Sequence, residues 1–166
     1  TVKKLTSITT QPSCAGSYCK NESASALTVV ADGANLHYQW YSNTTNGTAG
    51  CSSIPGATNA SYTPPTSVTG TKYYYVVVTG DCGSVTSDII GITVKETTSI
   101  SSQPSCAAPY CQNDEASALS VTAAGSNITY QWYSNSSNST SGASSIASAT
   151  DSRYTPPTSV VGDMYY

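Results

Sequence analysis

Phenylalanine is absent from the 166-residue chain, His and Met occur once each, and only 9% of residues are charged, for a formal net charge of -3. So sparse and slightly acidic a surface offers no basic patch to hold a polyanion, and nucleic acid is not an expected partner. Long apolar runs are missing too. The longest, Tyr73 to Val78, is far short of the roughly 20 residues that span a bilayer, so no membrane insertion is expected within this segment. Thr1-Val2-Lys3-Lys4 leads into no apolar stretch, so any export signal is expected outside this segment. A single His37, with Thr129 at the matching place in the repeat described below, gives no basis for His-centred catalysis.

Ser and Thr make up about a third of the chain, and thirteen Tyr with two Trp supply the aromatic content. That mixture describes a polar surface over a lean β-type core. The regular recurrence of Trp, Tyr, Val and Ile separates it from a disordered Ser/Thr-rich stalk.

Gln11 to Tyr74 aligns without a gap on Gln103 to Tyr166, an offset of 92 residues with 40 of 64 positions identical. Tandem duplication is the reading. The matched blocks include Gln11-Pro12-Ser13-Cys14, Tyr38-Gln39-Trp40-Tyr41-Ser42-Asn43 and Tyr62-Thr63-Pro64-Pro65 with their counterparts. Thr93-Val94-Lys95 falls on Thr1-Val2-Lys3, so residues 1–5 read as the tail of a preceding repeat, 6–97 as a first repeat and 98–166 as a second, incomplete one.

Within the first repeat, short alternating runs and closely spaced turns predict about seven strands: 7–10, 26–31, 36–42, 53–54, 60–63, 72–79 and 84–94. Alternation predicts a core of Leu27, Val29, Leu36, Tyr38, Trp40, Tyr73, Tyr75, Val77, Ile90 and Ile92. By the same count Tyr41, Tyr74, Tyr133 and Tyr166 point outward. They are the candidate surface-binding residues, against the plainer reading of cross-strand Tyr pairs that stabilise a sheet.

The six cysteines suggest a pairing through the repeat. Cys14 and Cys19 recur as Cys106 and Cys111, whereas Cys51 becomes Ala143 and the counterpart of Cys82 falls after residue 166. The simplest scheme is Cys14–Cys19, Cys106–Cys111 and Cys51–Cys82, with an oxidising compartment implied. Zinc is not expected, because the spacing and the lone His supply no four-ligand set. The carboxylates Glu22, Asp32, Asp81, Asp88, Asp114 and Glu115 are scattered and form no acid/base pair of the glycosidase kind. Asn21-Glu22 and Asn113-Asp114 recur near the repeat junction, but two or three oxygens are too few for calcium. Asn21, Asn43, Asn46, Asn59, Asn127, Asn135 and Asn138 lie in Asn-x-Ser/Thr sequences and are candidate glycosylation sites. Turn-forming Asn beside abundant Ser and Thr is the other reading.

Tyr38-Gln39-Trp40-Tyr41 resembles the Trp-bearing third strand of Ig-like domains, and Gly70-Thr71-Lys72-Tyr73-Tyr74-Tyr75 resembles their Gly-x-x-Tyr approach to the sixth strand. The order of Gln-Pro, Cys, Tyr-Gln-Trp-Tyr, Ala-Thr, Tyr-Thr-Pro-Pro and Gly-Thr-x-Tyr-Tyr resembles the Ig-like repeats of large secreted surface proteins of Bacteroidetes. These include gliding-motility and adhesin-type proteins exported by type IX secretion. The resemblance implies an all-β fold of tandem Ig-like β-sandwich domains, secreted or at the cell surface, with no catalysis, metal or cofactor. It also implies a structural or adhesive role, with neighbouring repeats of the same chain as partners and glycans or other surface proteins as candidate ligands. The inter-sheet disulfide of antibody domains is absent, Val77 standing near the place of its sixth-strand cysteine. The alternative function is a carbohydrate-binding accessory module of a secreted enzyme.

Overall fold

The computed structural model describes residues 2–14, 16–105 and 109–166, and among these every regular element is a β-strand. The chain divides into two compact units, Thr1–Glu96 and Thr97–Tyr166.

In the first unit the strands are β1 (Ser7–Thr10), β2 (Ser17–Cys19), β3 (Leu27–Thr28), β4 (Val30–Asp32), β5 (His37–Asn43), β6 (Ser52–Ser53), β7 (Ser61–Tyr62), β8 (Gly70–Gly80), β9 (Gly83–Thr86) and β10 (Ile90–Lys95). One layer is a six-stranded sheet in the order β2-β10-β8-β5-β6, with β9 also on β8. The other consists of the pairs β1–β4 and β3–β7. Side chains from both layers meet in one core of Tyr18, Leu27, Val29, Trp40, Tyr74, Val76, Val78 and Ile92. Two layers closing on a single apolar interior are what a sandwich requires.

The strands follow the sequence pattern with three differences. The expected run 26–31 divides into β3 and β4 because the chain changes partners at the buried Val29, from β7 to β1. The expected run 84–94 divides at Ser87, which is buried. Its backbone N–H donates to Val76 O at 2.9 Å, while its Oγ accepts from Val76 N at 3.0 Å. That double contact locks a bulge between β9 and β10. Finally, β2 is too short to show a period. It pairs in parallel with β10, Tyr18 opposite Val94, and buries Tyr18 in the core.

The faces of β8 are the reverse of the expected ones. Tyr74, Val76 and Val78 are buried inward, whereas Tyr73 and Val77 are half-buried on the opposite face. Trp40 decides this. It is fully buried and lies directly opposite Val76, with Tyr38 opposite Val78, and directly opposed residues in an antiparallel pair share a face. Tyr75, opposite Tyr41, is buried on the outer face rather than in the core cluster. Leu36, Tyr38 and Ile90 pack against the core as expected, and Leu27, Val29, Trp40 and Ile92 are within it.

The second unit contains β11 (Ser99–Ser102), β12 (Leu119–Ser120), β13 (Thr122–Ala124), β14 (Tyr133–Ser134), β15 (Ser144–Ser145) and β16 (Arg153–Tyr154). Its pairings, β11–β13, β12–β16 and β14–β15, keep the registers of β1–β4, β3–β7 and β5–β6 shifted by 92. An isolated bridge from Asn135 to Tyr165 matches the Asn43–Tyr73 pairing.

Candidate functional site

The outer face of the six-stranded sheet gathers Tyr41, Tyr73 and Tyr75. Tyr41 on β5 stacks on Tyr75 of β8, ring centroids 5.1 Å apart and planes within 7°. The Tyr75 hydroxyl contacts Cys51 Sγ at 2.6 Å. Beside them, the Tyr73 ring covers Gly91 of the adjacent β10, where a Cβ would sit 3.1 Å from Tyr73 Cε1. An aromatic ring laid over a glycine compensates the missing side chain across the strands. The same face holds Gln39, Val77, Thr71 and Thr93, with Lys95 at its β2 edge opposite Cys19. Its polar groups are largely committed. Gln39 Nε2 donates to Trp40 O and Ile54 O, and the Thr71 and Thr93 hydroxyls bond each other at 2.8 Å.

Of the four outward Tyr expected from alternation, Tyr41 and Tyr133 lie outside the core, half-buried and 49% exposed respectively. Tyr74 is 2% exposed and tilts against Tyr62, which tilts against Trp40, so it is a core residue. Tyr166 repeats that arrangement against Tyr154, at 5.4 Å. Tyr73, Tyr75 and Val77, expected inward, and Tyr74, expected outward, are the β8 residues that alternation misplaced, and only the register against β5 places them.

Burial and neighbours raise the Tyr ionisation. Tyr74 is pushed up to about 12 by burial and then by the nearby Tyr62. Tyr75 is pushed up to about 12 by burial, then by its hydrogen bond to Cys51. Tyr62 is raised by burial alone. Tyr166 is raised by burial and Tyr154. In every case the neutral phenol is favoured, which suits packing and not base chemistry.

Both recurring acidic pairs are turn devices. Asn21 and Asn113 adopt left-handed backbone conformations, φ 65° and 67°. The following acids accept from the chain just behind, Glu22 Oε2 from Cys19 N at 2.6 Å and Asp114 Oδ2 from Cys111 N at 3.0 Å. Thr66 and Thr158 hydroxyls donate to the carbonyls of those same acids. Asp81 and Asp32 hold Lys3 and Lys4. Asp88 and Glu115 are exposed, as is His37. Among the described residues no three His, Cys, Asp or Glu side chains are grouped so as to hold a metal.

Among the sequons, Asn43 and Asn135 are occupied structurally. Each Nδ2 donates to two loop carbonyls, Gly47 O and Ala49 O in the first unit, Ser139 O and Ser141 O in the second. Asn21, Asn46, Asn59, Asn127 and Asn138 are exposed.

The cysteines differ from the expected pairing. Cys14, Cys19, Cys51, Cys82 and Cys111 are free in this structure, and Cys106 lies outside the described residues. Cys14 packs against the core. Cys19 is exposed, alternating on β2 with the inward Tyr18. Cys51 sits beside the Asn43–Tyr73 end of the sheet, next to the Ser42–Ser52 pair. Cys82 lies in the turn after Gly80. Seven residues of β8 separate those levels, on the order of 20 Å at strand rise. A disulfide needs Cα atoms within about 7 Å.

A cleft of about 780 Å³ lies in the second unit, lined by Tyr110, Leu119, Pro157, Val160, Met164 and Tyr166. Its counterpart in the first unit is reduced to about 280 Å³, with Ile92 and Val94 in its wall. The larger cleft is thus sandwich interior, with no convergent set of reactive groups.

A two-layer sandwich with one Trp at the centre and the short β6 beside the Trp-bearing β5 defines the class, an Ig-like β-sandwich. A four-domain immunoglobulin segment of Sidekick-1 superposes with a TM-score of 0.51 at 13% identity, covering 80% of this chain and 35% of that one. The chain thus spans about a third of that segment's length. A five-domain Sidekick-1 segment (TM-score 0.47, 12% identity, 81% and 28% covered) and titin domains z1z2 in complex with telethonin (0.45, 14%, 80% and 70%) are also similar. No curated protein matches in sequence. The chain belongs to the family described as Domain of unknown function (DUF8696), whose model matches residues 8–96.

Proposed function

We infer that the chain is a structural and adhesive segment of a long extracellular surface protein, built from Ig-like repeats and not an enzyme. The observation that carries this is the repetition of an internal framework. Trp40 Nε1 donates to Asn59 O and Trp132 Nε1 to Asp151 O, at 2.9 and 2.8 Å. Gln39 and Gln131 each donate to two carbonyls, at 2.9 and 2.8 Å in both units. Tyr18 and Tyr110 hydroxyls each accept from the backbone seven residues on. What the duplication preserves is scaffold, and Glu22, Asp114, Asp32 and Asp81 are used in turns and ion pairs. Length gained by adding modules is the use such scaffolds serve.

The polar Ser/Thr-rich surface supports an extracellular location, and motif order supports kinship with the surface repeats of Bacteroidetes adhesins and gliding proteins. Neighbouring repeats are the first partners. Beads coated with the 166-residue chain should bind bacterial or host surfaces, or one another, above a bovine albumin control. Beads that bind none of these would remove the adhesive part of the reading.

A second reading, a carbohydrate-binding module, is favoured by Tyr41 and Tyr133, which occupy one position in both repeats and lie outside the core. Glycan-array binding that is lost in Tyr41→Ala with Tyr133→Ala would establish it in place of the adhesive one.

A further inference from the structure

We propose that Lys3–Thr6 is a strap that fastens the incoming chain to two loops at one end of the first unit, so that the module is held rigidly by the peptide that leads into it. Three successive contacts carry this. Thr6 is 7% exposed and sits where the β4–β5 and β8–β9 connections meet. A Cβ on Gly80 would lie 2.6 Å from Thr6 Oγ1 and 3.0 Å from Ala34 O, and one on Gly33 3.3 Å from Thr6 Cα. Both glycines therefore leave the space that Thr6 fills. Next, Lys4 Nζ meets Asp32 Oδ2 at 2.8 Å. Finally, Lys3 Nζ and Asn35 Nδ2 donate to the same Asp81 oxygen, at 2.7 and 2.9 Å, while Asp81 N donates to Ala34 O.

The seat and the ion pairs do different work. Exposed pairs such as these contribute little, so they orient the lysines without anchoring them. Thr6 Oγ1 has no hydrogen-bond partner, so the seat selects by shape and not by polarity. The seat also recurs. A Cβ on Gly125 would meet Thr98 Cα and Oγ1 at 3.0 Å, and the two stand 92 residues beyond Gly33 and Thr6. The Thr-on-Gly contact is therefore a property of the repeat, whereas the Lys4–Asp32 pair is not repeated, Glu96 and Ala124 standing at the matching places. The strap's use as a stiff joint rests on the array reading above, but the strap itself is a feature of one unit and is tested without reference to adhesion.

The test is ¹⁵N relaxation on the labelled 166-residue chain. The heteronuclear NOE at Lys4, Leu5 and Thr6 should equal that of β8. In Gly80→Ala, the added methyl takes the seat, and the NOE at these three residues should fall by more than half while β5 and β8 stay rigid. Should Gly80→Ala lose β8 order as well, Thr6→Gly decides, since it empties the seat without adding an atom and should free residues 3–6 alone. Asp32→Asn with Asp81→Asn should loosen Lys3 and leave Thr6 rigid. A strap already mobile in the unsubstituted chain, or one that stays rigid in Thr6→Gly, overturns the proposal.

Discussion

Two tyrosines that are near neighbours in sequence show how much one step along a strand matters. Tyr74 is fully enclosed between the layers, while Tyr75 lies beneath Tyr41 on the outer face. Replacing Tyr74 by Ala opens a cavity in a core that cannot collapse easily around Trp40, and should cost about 3–5 kcal/mol. Tyr41→Ala removes one partner of a stacked pair, worth about 1 kcal/mol. Urea denaturation of the two variants separates them, and equal losses would put Tyr41 in the core. The same tyrosines set an alkaline limit. Their folded values are raised to about 12 from an ordinary 10, so the neutral phenol is favoured by folding. That stabilisation is complete below pH about 10 and is lost as pH rises through about 12. Tyrosinate absorbance should therefore lag behind that of a free phenol until near-ultraviolet circular dichroism collapses. Full ionisation near pH 10 with the fold intact would show Tyr74 and Tyr75 to be open to solvent.

Strands were legible where period and turn agreed, and illegible where partners decide. Leu36, Tyr38 and Trp40 alternate with polar neighbours, so β5 and its inward face could be read directly. Tyr73 to Val78 is apolar at every position, and a run without alternation cannot declare its faces. Only the register to β5, Trp40 opposite Val76, fixes them. The outer aromatic site was accordingly half legible, through Tyr41 and not through Tyr73 and Tyr75. Likewise β2 owes its existence to a parallel partner 76 residues away, Cys19 opposite Lys95, which no local signal announces. Cysteine counting has a related blind spot, because it compares copies without the length of β8 between Cys51 and Cys82. Those two residues should give no crosslinked peptide on non-reducing digestion of the folded protein. A Cys51–Cys82 peptide would require a different register of β8 against β5.

The two units share a framework but not a depth of core, and their stabilities should differ accordingly. In the first, Trp40 is wholly buried, with Leu27, Val76, Val78 and Ile92 around it. In the second the buried apolar residues among those described are Ala116, Leu119 and Trp132, and Val160, Val161 and Met164 are exposed. Burial of apolar area is the main favourable term in folding, so the second unit has less to set against its chain entropy. Each unit holds one Trp, which allows them to be watched separately. In a Trp132→Phe background, Trp40 should emit at shorter wavelength and report the later urea transition. In a Trp40→Phe background, Trp132 should be the more readily quenched by acrylamide and report the earlier one. The Phe at position 40 lacks the indole bond to Asn59 O, so the first unit is weakened in that background, and the order is judged from Trp40 fluorescence against near-ultraviolet circular dichroism of the unsubstituted chain. A single transition common to all probes would mean that the units unfold as one cooperative body, and the repeat could not then be treated as an independent module.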